Sequence, residues 1–290
     1  MTTHRLAKER GREVRILLVE DHPVNQKITL MFLQWAGYRV ELAENGRQAV
    51  EAYKRKVYDL ILMDIQMPEM DGYGVTREIR KLEDDDPQST VKRVPIVAMT
   101  AHSWKRDREK CIEAGMDDYL TKPLREKELC AMVDKWSGRM DEAGNIRPTT
   151  TVDPQTLKTD SQYSMVNIQS KEVDPMNFEM ALMDFKGDEP LLMEVLDDFR
   201  ESVKTQIENT RRAISEGNVE EAGREARTIK GAAANLKAEV LSGIASELVN
   251  IAKSDNLEGA ADALERFEKE LCLLEAFIRD RSSSSRAAGF

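Results

Sequence analysis

Two rhythms of apolar residues divide this chain. In the first half, short apolar runs alternate with stretches at helical spacing. Val14 to Val19, Leu60 to Met63 and Pro95 to Met99 are such runs, and a shorter one surrounds Tyr119-Leu120. Runs of this length predict strands buried on both faces. Strand alternating with helix predicts an α/β fold, a doubly wound parallel sheet with right-handed crossovers. Pro23 suits the first position of a helix, where a missing N–H costs nothing. Val24, Ile28, Phe32 and Trp35 continue that helix, and Gly37 ends it. Tyr38 to Leu42 is expected as an edge strand. Asn45-Gly46 leads into a helix carrying Val50 and Tyr53, and further helices are expected over about Val75 to Leu82 and Ser103 to Ala114. Leu129, Met132, Val133 and Trp136 form the stripe of the last helix in this half.

The second half carries only helical spacing, from Asn177 to Arg281. Leu192, Val195, Phe199, Val203 and Ile207 make one stripe, and Leu241, Ile244, Leu248 and Ile251 another. A last stripe runs through Leu264, Phe267, Leu271, Leu274 and Ile278, and Asn218 starts a helix after Gly217. Short connections between such helices predict an all-α four-helix bundle. The expected units are therefore 13–137 and 174–281. Between them, 138–173 lacks periodicity and reads as a linker, spanning roughly 30–35 Å on root-mean-square average. Two tethered units would meet at about millimolar effective concentration. Residues 282–290 are Ser-rich and expected to be disordered.

Composition narrows the class. Hydrophobic residues make up 41% and charged residues 33% of the 290, which suits a soluble globular chain. No apolar run is long enough to cross a bilayer, and the N-terminus lacks the apolar core of a secretory signal. A net charge of −10 argues against a nucleic-acid surface. Cys111, Cys130 and Cys272 are far apart and unpaired in pattern, as expected in a reducing cytoplasm.

The chemistry lies at the ends of the apolar runs. Glu20-Asp21, Asp64, Thr100 and Lys122 each follow one. A single Asp after a strand is commonly a helix cap. Parallel strands, however, bring all of these groups to one edge, where open sheets bind ligands. Three carboxylates side by side repel one another unless a cation is present or some are protonated. Hard oxygen ligands suit Mg²⁺, and Lys122 and Thr100 suit the oxygens of a phosphoryl group beside it.

The ordered set Glu20-Asp21, Asp64, Thr100-Ala101 and Lys122-Pro123, with MPEMDG after the aspartate, resembles the receiver domain of two-component response regulators. The resemblance covers Val14 to Trp136 and is closest to receivers attached to hybrid sensor kinases. It implies a five-stranded, flavodoxin-like sheet and a phosphoryl group accepted on Asp64 from a phosphohistidine. It implies Mg²⁺ held by Asp21, Asp64 and the backbone carbonyl of Gln66, with Glu20 acting through water. Thr100 would bond a phosphoryl oxygen, Lys122 would pair with the carboxylate and then the phosphoryl group, and Thr100 with Tyr119 would form the switch. It also implies a cis Lys122-Pro123 peptide. His22, His102 and Trp104 flank this set. His22 is expected to line the loop. His102 is open between a loop role and phosphoryl chemistry, and Trp104 between burial and a partner contact.

In the helical half, ARTIKGAAAN (Ala226 to Asn235) resembles the core motif of histidine-phosphotransfer (HPt) domains, over about Asp174 to Asp280. That family has a phosphorylatable His three residues before a Lys-Gly pair. Lys230 and Gly231 match, but the His position is Arg227, and no histidine follows His102. A guanidinium stays protonated and is no nucleophile. The domain is therefore expected to be a degenerate HPt that carries no phosphoryl group. Arg227, Lys230, Gly231 and Ala234 share one helix face, with Gly231 leaving space for a partner's backbone. That face is expected to dock on receiver domains, in cis over Asp64 or in trans, or else to be only a solvated helix surface.

The expected function is phosphorelay signalling, with a sensor histidine kinase or HPt protein as phosphodonor, no DNA partner, no membrane insertion, and no enzymatic activity beyond self-catalysed phosphotransfer and dephosphorylation. One alternative is the C-terminal part of a hybrid histidine kinase. Another is a Mg²⁺-dependent phosphatase with an Asp nucleophile. Such a phosphatase needs a second acid two residues on, where this chain has Gln66.

Overall fold

The computed structural model describes residues 14–85, 93–100, 105–137, 174–254 and 256–287. The expectations for His102, Trp104 and the linker 138–173 lie outside them. In the first half the described residues run Arg15–Val19 (β1), Pro23–Trp35 (α1), Arg39–Ala43 (β2), Gly46–Arg55 (α2), Leu60–Asp64 (β3), Gly72–Asp84 (α3), Ile96–Thr100 (β4), Lys105–Ala114 (α4), Asp118–Thr121 (β5) and Glu126–Trp136 (α5). The five strands form one parallel sheet in the order β2-β1-β3-β4-β5. The strand order reverses at β1, so the connections after β1 and β3 leave to opposite sides and form a crevice at the C-terminal ends of those strands.

The sheet is buried because its central strands are apolar except at their ends, at Arg15, Asp64 and Thr100. Alternation still sorts the side chains. Ile16, Leu18, Leu60, Leu62, Val97 and Met99 join one apolar cluster, and Leu17, Val19, Ile61, Met63, Ile96 and Ala98 the other. The period of two sends neighbours to opposite faces. Helix α3 begins a turn earlier than its apolar spacing predicts, because the Asp71 carboxylate caps it by accepting from the Gly74 N–H at 2.7 Å. Gly72 stands here for want of space. A Cβ would lie 2.2 Å from the Asp64 carbonyl oxygen and 3.0 Å from the Ile65 Cα.

The second half contains a short helix, Phe178–Asp184 (α6), then Glu189–Ser215 (α7), Val219–Asn235 (α8), Glu239–Lys253 (α9) and Ala260–Ala287 (α10). The last four form the expected bundle around Phe199, Phe267 and Leu274. Asp188 and Asn218 cap α7 and α8 through their side chains, and Gly217 takes φ 68° in the turn between those two helices. The tail expectation is corrected in part: α10 continues to Ala287, beyond Ser282. Extending a formed helix fixes one residue per added bond, and serine is only a moderately poor helix former.

The two halves pack together. Helix α1 contacts α7 and α8, and one apolar cluster runs from the α1 side of the sheet into the bundle.

Candidate functional site

The C-terminal edge of the sheet gathers the expected groups. Glu20 and Asp21 follow β1, Asp64 ends β3, Thr100 ends β4, and Lys122 follows β5. Carboxylate oxygens of Glu20, Asp21 and Asp64 lie within 4.8 Å of one another. The Lys122 ammonium donates to Glu20 Oε2 at 2.6 Å and to Asp64 Oδ2 at 2.7 Å. The Gln66 N–H donates to Asp64 Oδ1 at 3.1 Å. Thr100 is buried, and its carbonyl accepts from the Lys122 N–H at 2.7 Å. Tyr119 sits on β5, paired in register with Ala98. The Lys122-Pro123 peptide is cis, as the family resemblance implies.

The electrostatics follow from burial. Glu20 is fully enclosed and Asp64 is 5% exposed. Burial and the neighbouring Glu20 push the Asp64 carboxyl up to about 7, while Lys122 and the Gln66 N–H pull against this. Burial and Asp64 raise Asp21 to about 6, and Glu225 from α8 adds to the rise. Burial alone would lower Lys122; Asp64 and Glu20 instead hold it well above the ordinary lysine value. One ammonium thus faces three carboxylates. The donor set is hard oxygen with surplus negative charge, which fits a divalent cation such as Mg²⁺.

The bundle covers this edge. Arg227, Thr228 and Gly231 of α8 close a cavity of about 20 Å³ whose other walls include Asp21, Asp64, Gln66 and Lys122. Arg227 therefore reaches the Asp64 pocket from the same chain. Its guanidinium lies back along its own helix, where a Cβ at Gly223 would be 3.4 Å from Nη1. Arg227 Nε is buried with no hydrogen-bond partner among the described residues. Burial, with Arg224 nearby, lowers its pKa from the ordinary arginine value.

The expected docking face divides between two places. Lys230 and Ala234 line a separate groove of about 890 Å³, beside Pro123 and Glu126 of the sheet half and Met180 and Met183 of the bundle. In this intramolecular contact a Cβ at Gly231 would have nothing within 4 Å, so the receiver's backbone makes no close approach there.

Several contact residues escaped the sequence reading. Asn235 donates to Asn25 Oδ1 at 2.9 Å, and Asn25 donates to Glu20 Oε1 at 3.0 Å, all buried. A polar chain therefore links α8 to the acid cluster. Lys27 pairs with Glu194 at 2.7 Å and Asp198 at 2.6 Å. Lys186 bonds Glu126 at 2.8 Å and stands 4.2 Å above the Trp35 ring. His22 is buried and meets the Ser202 hydroxyl at 3.1 Å; burial and Lys122 push its imidazole down to about 4, so it is neutral at pH 7. One signal was present in the sequence. Val24, Ile28, Met31, Phe32 and Leu33 spread over more than half of the circumference of α1 at 3.6 residues per turn. A helix apolar nearly all round is covered on both sides.

Comparison with known proteins finds a family match in each half. The model of the response regulator receiver domain matches residues 16–134, and that of the Hpt domain matches residues 194–277. The sensor protein GacS of Pseudomonas syringae pv. syringae is 42% identical over 128 residues, covering 44% of this chain and 14% of GacS. The histidine-protein kinase BarA of Escherichia coli is 30% identical over 196 residues, covering 67% of this chain and 19% of BarA. The chain thus spans less than a fifth of these relatives' length. The receiver domain of sensor histidine kinase PA1611 from Pseudomonas aeruginosa, solved with magnesium in its active-site cleft, is 47% identical, covering 44% of this chain and 99% of that one, with a TM-score of 0.39.

Proposed function

The chain joins a response regulator receiver domain to an Hpt domain, the modules of two-component phosphorelay signalling, and we propose that Asp64 is its phosphoacceptor and that the Hpt domain carries no phosphoryl group. The observation that carries the first half is the carboxylate of Asp64 held between the Lys122 ammonium and the Gln66 N–H, within reach of two further carboxylates. Asp64 attacks the phosphorus of a phosphohistidine. A bond forms from its oxygen, and the P–N bond to the donor imidazole breaks. Asp21, Asp64 and the Gln66 carbonyl would hold Mg²⁺, with Glu20 assisting through water. When bound, the ion would supply charge neutralisation at the transferring phosphoryl oxygens. Lys122 binds a phosphoryl oxygen, releasing part of its pairing with Asp64, and Thr100 binds another. Thr100 and Tyr119 then shift as the switch.

The second half rests on residue chemistry. Position 227 is an arginine, and histidine is absent after His102. No side chain of the bundle can therefore take up the phosphoryl group as an imidazole does. The bundle acts as a docking module for receiver sites, beginning with the one in its own chain. Sensor kinases or Hpt proteins of the cytoplasm are the donors, the output passes through protein contacts, and the receiver performs only its own phosphotransfer and slow hydrolysis.

Incubation with acetyl phosphate and Mg²⁺ tests this. One phosphoryl group per chain is expected by intact mass, and none in EDTA. Turnover of p-nitrophenyl phosphate would favour the phosphatase alternative. Gln66 speaks against that alternative, since an amide cannot protonate a leaving group.

A further inference from the structure

We propose that the bundle is an intramolecular gate: docked on the receiver, it closes Asp64 to phosphodonors while leaving the acid cluster open to divalent cations. The proposal rests on Asp64 being the phosphoacceptor. Size carries its first half. The cavity between Arg227, Gly231 and Asp64 measures about 20 Å³, room for about one water molecule. Neither an imidazole ring nor a small acyl phosphate fits there. The donor must come to the C-terminal edge of the sheet, because Asp64 is buried everywhere else.

Charge carries the second half. A groove of about 910 Å³ adjoins the cavity and shares Asp21, Gln66 and Thr228 with it. Five carboxylates line the groove (Asp21, Asp197, Asp198, Glu201 and Glu225) against the guanidiniums of Arg200 and Arg224. The carboxylates outnumber the guanidiniums, and a cleft with net negative charge concentrates counter-ions and repels like charge. Cations are therefore drawn toward Asp21, and phosphate anions are turned away. Phosphorylation then proceeds from the minor open form, at a rate scaled by its population.

Beside the shared apolar cluster, the contact carries polar pairs that a charge reversal breaks. Much of its specificity is polar: Lys27 with Glu194 and Asp198, Lys186 with Glu126, and Asn25 with Asn235. Ion pairs of this exposure weaken with salt. Lys27 lines neither the cavity nor the groove, so Lys27→Glu weakens the contact while leaving every residue of the site in place. It replaces two attractions by two repulsions.

The full chain and Lys27→Glu are compared for phosphorylation by acetyl phosphate with Mg²⁺, for Mg²⁺ affinity by calorimetry, and for size by small-angle scattering. Lys27→Glu is expected to expand the particle and raise the initial rate at least about tenfold, with Mg²⁺ affinity within about twofold of the parent. Adding Glu194→Lys to it, at a residue outside the groove, restores one pair with reversed sign and is expected to bring size and rate back toward those of the parent. Uptake on Asp64 at the same rate in an expanded Lys27→Glu and in the parent overturns the gate while leaving the phosphoacceptor in place. A large gain in Mg²⁺ affinity on opening overturns the cation route. Absence of uptake in every variant overturns the gate together with the phosphoacceptor.

Discussion

Asp64→Asn should abolish phosphoryl uptake and, in the absence of divalent ions, make the protein more stable at neutral pH. Uptake is lost because no neighbour can substitute. Glu20 is fully enclosed, with its oxygens engaged by Lys122 and Asn25, and Asp21 lacks the paired ammonium and N–H that orient Asp64. The gain in stability follows from proton linkage. An unfolded Asp ionises near 3.8, whereas the folded protein holds Asp64 at about 7 and Asp21 at about 6. Between those values the folded state keeps protons that the unfolded state has lost. Stability is therefore complete below about pH 4 and declines as pH rises toward about 7. Asn at position 64 removes the larger part of that decline. Urea unfolding in EDTA at pH 5 and pH 7.5 is the measurement. The parent should lose stability relative to Asp64→Asn as pH rises, and Mg²⁺ should narrow the difference by neutralising the cluster directly. A parent and variant that run parallel with pH would contradict the burial argument.

Lys122→Ala should be the most damaging exchange at the site. It leaves Glu20 and Asp64 buried without their shared countercharge. Breaking a buried ion pair by removing one partner costs about 3–5 kcal/mol. The loss should appear in full at pH 7.5 in EDTA. It should shrink at pH 5, where Asp64 and Asp21 take up protons, and shrink with Mg²⁺, which replaces the missing positive charge. Phosphoryl uptake by the folded fraction should fall on the order of 10²–10³-fold, the scale for losing one preorganised charge at a developing anion. Chemical unfolding and intact-mass kinetics measure both effects. A loss of stability under about 1 kcal/mol would mean that the carboxylates are already protonated or solvated at neutral pH.

The sheet and its site were legible because their determinants are local. Each central strand is largely one apolar run, and each polar group at the edge ends or follows a strand. Glu20, Asp21, Asp64, Thr100 and Lys122 then converge by topology alone. The helical half was legible for the same reason: Asn218 and Gly217 mark a turn, and the stripes from Leu192 to Ile278 mark the core. What stayed hidden is the join. Asn25 and Asn235 are 210 residues apart, and nothing in either neighbourhood names the other. The breadth of the apolar surface on α1 says that something covers it, without saying what. One expectation failed for a physical reason: the tail reads as unstructured from Ser282, yet the helix started by Ala260 carries through four serines to Ala287.

Transfer from a phosphohistidine donor, followed by peptide mapping of the phosphoryl group, tests the central claim most directly. The full chain should acquire a base-labile acyl phosphate on the peptide holding Asp64, only with a divalent ion present, and none between residues 174 and 287. A phosphoryl group found in the bundle, or on another carboxylate with Asp64 intact, would contradict it.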